Sequence, residues 1–290
     1  MARRKLRELN LLDDFLMNSI LIHKEIGETF SREILQIIFR KAFGQLKVTS
    51  QKVYPGSDTD KHGARLDVYM EEVLDIEILE EAMIIDLEPN QESDAEKKIA
   101  ALPKRVRFYH AKIDTKALGS GENYNALKNV VVIIITPNDP FGHDLMMYTV
   151  KNSIKELPHT EYEDGARTLF LYTNGKICNV HEELKELLYY MEHTTEENAT
   201  TDALKRIHKM VEKIKMDEEV SHKYMKILER EEMLIEKGQK IGQEIGKEIG
   251  RKMERENTER ERQRADSITS KLLETEKELV YWKNLALGIR

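Results

Sequence analysis

Two acidic residues stand out because each interrupts an otherwise strand-like run. From Ala64 the residues alternate, with Leu66, Val68 and Met70 on one side and Arg65, Asp67 and Tyr69 on the other. A second short apolar strand, Ala82 to Glu88, ends at Pro89-Asn90 with a carboxylate at its tip. If the two strands pair, Asp67 and Glu88 converge on one hard, oxygen-preferring cation such as Mg²⁺. The backbone carbonyl after Glu88 is then a third ligand, and positions remain for waters and a phosphate. The other reading open at this point is two strand-edge carboxylates facing solvent.

The next candidates follow Glu88 directly. From Lys97 to Lys116 the chain carries Lys97, Lys98, Lys104, Arg105, Arg107, Lys112 and Lys116 against Asp114 alone, a local balance of +6 in a chain of net charge -7. After Pro103, Arg105, Tyr109, Lys112 and Lys116 recur at i, i+4, i+7 and i+11, one face of a helix. Val106, His110, Ile113 and Ala117 are expected on the opposite, more buried face. A cationic stripe interrupted by a tyrosine suits a phosphodiester backbone, and it equally describes a solvated helix face.

Other chemistries lack their signatures. The nine histidines include no HExxH, Gly119-Ser120-Gly121 lacks both the GxGxxG pattern and a P-loop lysine, and there is no GxSxG elbow. One cysteine, Cys178, excludes an internal disulfide and a multi-thiolate zinc site, and its neighbours Ile177 and Val180 predict an ordinary near-core thiol. With 46 basic against 53 acidic residues, the chain is no basic polymer coating nucleic acid. No apolar run approaches the ~18 to 20 residues of a membrane span, and Glu8, Asp13 and Asp14 stand where a secretory signal needs an apolar core. A reducing, cytoplasmic setting is expected.

The elements that must position these residues alternate in type. Asp14 to Phe43 carries helical periodicity, read as two helices, with Ser31 and Glu33 near a helix start and Glu33 as a further acid that cannot yet be placed. Leu46 to Tyr54 is strand-like before the turn Pro55-Gly56-Ser57-Asp58. Ser93 to Leu118 reads as helix interrupted at Pro103, Val130 to Ile135 as a buried strand, and Leu145 to Glu156 as helix. Ala166 to Tyr172 reads as strand and Glu182 to Met191 as helix. This order predicts an α/β domain with a mixed central sheet flanked by helices over residues 1–195, then a helical extension over 196–235.

Taken in order, His62-Gly63-Ala64-Arg65-Leu66-Asp67-Val68, Ile85-Asp86-Leu87-Glu88-Pro89-Asn90, Pro103-Lys104-Arg105-Val106-Arg107-Phe108-Tyr109, and the strand Val130 to Ile135 followed by Pro137 and Asp139-Pro140-Phe141-Gly142 resemble the PD-(D/E)XK nuclease family transposases. This is also called the recombination-promoting nuclease/putative transposase family, and the likeness covers roughly residues 10 to 195. It implies a restriction-endonuclease-like core and metal-dependent DNA cleavage linked to DNA recombination. By position Asp67 matches the motif's Asp, Glu88 its second acidic ligand, and Arg105 and Tyr109 the Arg and Tyr of the following helix. Asn90 stands where the superfamily has Lys, and Gln91 is next to it; neither amide can act as a general base. The implied mechanism is attack on a phosphodiester by a water held on Mg²⁺ by Asp67 and Glu88. Arg105, helped by Lys104 and Lys112, offsets charge on the phosphate, and Asn90 or Gln91 orients the water or phosphate. The competing expectation, from the missing lysine, is a catalytically silent DNA-binding or oligomerisation module.

Residues 236–290 form a charged tail. Gly238, Gly242, Gly246 and Gly250 recur every four residues with Ile241, Ile245 and Ile249 between them. Each glycine costs a helix about 1 kcal/mol relative to alanine, so an isolated helix here is marginal. One reading is helix-helix contact between two chains, a homo-oligomer continued through Ile268, Leu272, Leu279, Trp282 and Leu285 as a coiled coil; the other is a polar, fraying helix.

Overall fold

The computed structural model describes residues 4–54, 64–73, 81–87 and 95–286, and for 48–54, 64–73, 81–87, 95–99, 116 and 285 the backbone alone. The chain divides into two units, Met1–Tyr224 and Met225–Arg290.

The first unit is α/β. Helix α1 (Asp14–Leu21) starts at Asp13, whose carboxylate accepts the Phe15 amide at 3.1 Å. Helix α2 (Gly27–Phe39) ends at Arg40, in the left-handed region with φ 52°, its amide donating to the Gln36 carbonyl. Ser31 and Glu33 therefore lie inside α2, not at its start. Strands β1 (Gln45–Tyr54), β2 (Ala64–Val73) and β3 (Glu81–Leu87) form an antiparallel meander. Helix α3 (Ala95–Ala117) carries the chain to β4 (Asn129–Thr136), which pairs parallel to β3. Strand β6 (Ala166–Tyr172) pairs parallel to β4, and β5 (Met147–Lys151) closes the edge antiparallel to β6, giving the sheet order β1-β2-β3-β4-β6-β5.

Two cores flank this mixed sheet, and β4 explains why. Its unbroken apolar run fits a central parallel strand covered on both faces. Val131, Ile133 and Ile135 belong to a large core with α1, α2, α4 (Glu182–Glu192) and α5 (Asp202–Lys215), while Val130, Val132 and Ile134 meet Leu102, Val106, Tyr109 and Ile113 of α3.

Three expectations change. Helix α3 runs unbroken through Pro103, with Leu102 and Val106 docked beside the missing N–H. The helix expected over Leu145 to Glu156 is strand β5: Met147 packs on the larger core and Tyr148 on the α3 side, the period of two that an edge strand needs. The compact unit also runs past residue 195, because α5 buries Leu204, Ile207, Val211 and Ile214 in the main core. Thr201 caps α5 by accepting the Leu204 amide, and Arg206 and Lys213 tie the helix to Glu33 and Glu25.

The second unit consists of most of α6 (Glu218–Ala286). Gly238, Gly242, Gly246 and Gly250 of α6 are open: a Cβ added to any of them would meet nothing within 4 Å. Among the described residues, no helix is long and apolar enough to cross a membrane.

Candidate functional site

The carboxyl ends of β3, β4 and β6 lie at one end of the sheet, where α/β folds commonly bind ligands. In the β2–β3 ladder Val68 faces Ile85, so Asp67 and Asp86 are the next residues along each strand beyond that pair. Leu87 is the last described residue of β3; Glu88, Asn90 and Gln91 lie outside the described residues. Among the described residues no group of three His, Cys, Asp or Glu side chains could hold a metal ion.

Helix α3 starts from this end and packs on both β2 and β4. Its buried stripe is Leu102, Val106, Tyr109 and Ile113, rotated from the expected one. Tyr109 is therefore in the core and not on the cationic face, because its ring is apolar enough to join Val132, Ile134 and Phe170. The Arg105 guanidinium lies 5.6 Å from the centre of that ring, half-buried, so Tyr109 serves as a platform for Arg105. Lys112 sits 5.4 Å from the ring of Phe108. Lys104, Phe108 and Lys112 recur every four residues, with Arg105 along the inner edge of the row. Lys104 and Phe108 are exposed and Lys112 half-buried; Lys116 continues the helix, and Ala117, expected buried, is exposed.

Farther along α3, His110 is half-buried, sharing a 3.1 Å hydrogen bond with the Thr168 hydroxyl. Its Nδ1 is buried and has no hydrogen-bond partner among the described residues. Burial pushes its pKa below the ordinary 6.5, against the opposing pull of Asp164. The folded state thus binds this proton less tightly than the unfolded chain. Stability is expected to be full above pH 6.5 and to fall as pH drops from there through the lower folded value. Urea unfolding of wild type and His110→Leu at pH 7.5 and 5.5 tests this; the variant should lose less between the two.

A network that the sequence reading missed lies just after β4. The Asp139 carboxylate accepts the amides of Phe141 (3.0 Å), Gly142 (2.9 Å) and Asp144 (2.6 Å) and the Tyr148 hydroxyl (2.8 Å), while Tyr148 accepts the Leu145 amide. Burial raises the Asp139 pKa, but these hydrogen bonds outweigh it and hold the carboxyl below its ordinary range. Gly142, at φ 73°, supplies the left-handed turn. The Asp-Pro-Phe-Gly string was the available signal; its partner Tyr148 was hidden by the helical reading of β5. Asp139 thus shapes the loop with all four of these hydrogen bonds directed inward.

A cavity of about 520 Å³, lined by Met146, Thr173, Asn174, Lys185 and Tyr189, opens on the α4 side, away from α3. Cys178 also lines it and is exposed, not near-core, its thiol 3.5 Å from the Val180 carbonyl. Glu33, the unplaced acid, pairs bidentately with Arg206 at 2.7 and 2.9 Å, on the α5 side and away from α3. Comparison with protein-family models, curated proteins and solved structures finds no match to this chain.

Proposed function

We propose that the chain is a metal-dependent DNA endonuclease of the transposase-associated, recombination-promoting type, acting in the cytoplasm, and that its first unit is a restriction-endonuclease-like core. The carrying observation is the return of α3 across β2 and β4 from the carboxyl end of β3. What supports the reading is that α3, which carries Lys104, Arg105 and Lys112 outside its buried stripe, packs on the sheet whose strand β2 includes Asp67, and that Glu88 follows β3 directly in the chain.

The donor set suits a hard cation: Asp67 and Glu88 offer only carboxylate oxygens, as Mg²⁺ prefers. When bound, the ion would lower the pKa of water and stabilise charge on the phosphate. The protein's own part is positional. Asp67 and Glu88 hold the cation; Arg105, braced on Tyr109, and Lys104 and Lys112 orient the phosphodiester; Asn90 or Gln91 orients water by hydrogen bonding, since an amide takes up no proton at neutral pH.

Supercoiled-plasmid nicking with Mg²⁺, Mn²⁺ and EDTA tests this. Cleavage that EDTA abolishes is expected, and no nicking by folded, DNA-binding protein under any metal would overturn it. Asn90 in place of a motif lysine favours the second reading, a silent DNA-binding module, which predicts metal-independent, salt-sensitive binding without nicking.

Binding itself should depend on α3. Arg105→Gln and Lys112→Gln are each expected to weaken binding to any DNA sequence alike. Each removes one cation that neutralises a phosphate, so each should reduce the slope of log K against log salt by about 1. Fluorescence anisotropy across a salt series reads this out; an unchanged slope in both variants would remove α3 from the interface.

A further inference from the structure

The end of α6 carries an apolar seam that nothing in the described chain covers. Ala265, Ile268, Leu272, Thr275, Leu279, Trp282 and Ala286 recur at alternating spacings of three and four, three heptads with these residues at a and d. Ile268, Leu272, Leu279 and Trp282 remain 59 to 64% exposed. Among the described residues, none beyond Tyr224 belongs to either hydrophobic core.

The flanking charges identify what covers the seam. Lys271 and Glu278 fall at g, Glu276 and Lys283 at e. In a parallel, in-register pair of identical helices, each g residue faces the e residue five positions later in the other copy. Lys271 then meets Glu276 and Glu278 meets Lys283, and two-fold symmetry makes four attractive pairs. An antiparallel pair built on the same layers brings g against g and retains only Lys271 against Glu278, two pairs. The seam also has a natural start. The Gly/Ile repeat upstream has a period of four, about 40° per step beyond a full helical turn, so its apolar row walks around the helix and cannot extend the heptads.

We propose that residues 265–286 form a parallel, in-register two-stranded coiled coil with a second copy of this chain. The full-length protein is the material for the test. Light scattering at micromolar concentration should give twice the chain mass of 33.9 kDa. A Cys178→Ser, Leu272→Cys variant should form a disulfide-linked dimer on mild oxidation, since equivalent a residues meet only in the parallel register. Leu272→Glu with Leu279→Glu should be monomeric. Lys271→Glu should weaken the dimer by roughly tenfold, and adding Glu276→Lys should restore it. A monomeric wild type, a larger assembly, or rescue by Glu278→Lys in place of Glu276→Lys would overturn the proposal.

Discussion

Glu88→Ala and Asp67→Ala are each expected to reduce metal-dependent plasmid nicking by more than roughly 100-fold, beyond what loss of an outer-shell partner costs a metal site. The expectation follows from the donor count. With two carboxylates as the only protein side chains proposed to hold the cation, removing either leaves a single charged ligand for an ion that gives up its water reluctantly. DNA binding by both variants should stay within a few-fold of wild type, because binding to phosphates rests on α3 and the cations there. Asp67 sits within β2, beside the β3 ladder, so a cooperative thermal unfolding transition of the first unit at the wild-type temperature is the control that each variant is folded. Retained nicking in both folded variants would sink the enzymatic reading. Loss of nicking together with loss of DNA binding would point to general disruption of the site's end of the sheet. Asn90→Lys is the complementary gain-of-function change: if the missing lysine limits the rate, it should raise nicking at saturating Mg²⁺ without changing the salt slope of binding.

Ile207→Ala is expected to destabilise the first unit by about 2 to 5 kcal/mol, the usual cost of truncating a fully buried aliphatic side chain. Ile207 is fully buried, among Leu204, Val211 and Ile214 of α5 and the residues of α1, α2 and α4. For a unit of this size that loss lowers the melting temperature by roughly 5 to 15 °C. Arg206→Ala, one residue away, removes the ion pair to Glu33 but leaves the apolar core intact, and its arginine is 56% exposed. It should cost about 1 to 2 kcal/mol, because the arginine side of the pair is exposed but Glu33, only 14% exposed, loses its bidentate partner. Thermal and urea unfolding of the two variants checks whether α5 belongs to the folded unit. If the folded domain ended near residue 195, Ile207→Ala would fall within about 0.5 kcal/mol of wild type, as surface changes do.

Local pattern determined a good deal of this protein. The six-residue apolar stretch of β4, Val130 to Ile135, pointed to a strand buried on both faces, the periodicity of α2 to an amphipathic helix, and the alternation around Asp67 to β2. The seam at the end of α6 is likewise a matter of spacing and charge order alone. What the tertiary structure decided lies where a residue's neighbours come from distant parts of the chain. Tyr109 fits a polar stripe and an apolar one equally well by spacing, and the presence of Val132, Ile134 and Phe170 across α3 sends its ring inward. Met147 to Lys151 becomes a strand because β6 offers a free edge with matching register, which no local signal encodes. Asp139 has its pKa lowered first by the amides of Phe141 and Asp144 in its own turn, and adds to them a hydroxyl nine residues away on β5, while Glu33 takes its arginine from a helix 173 residues on. Spacing along a chain specifies which side chains share a face; only the packed sheet specifies what that face meets.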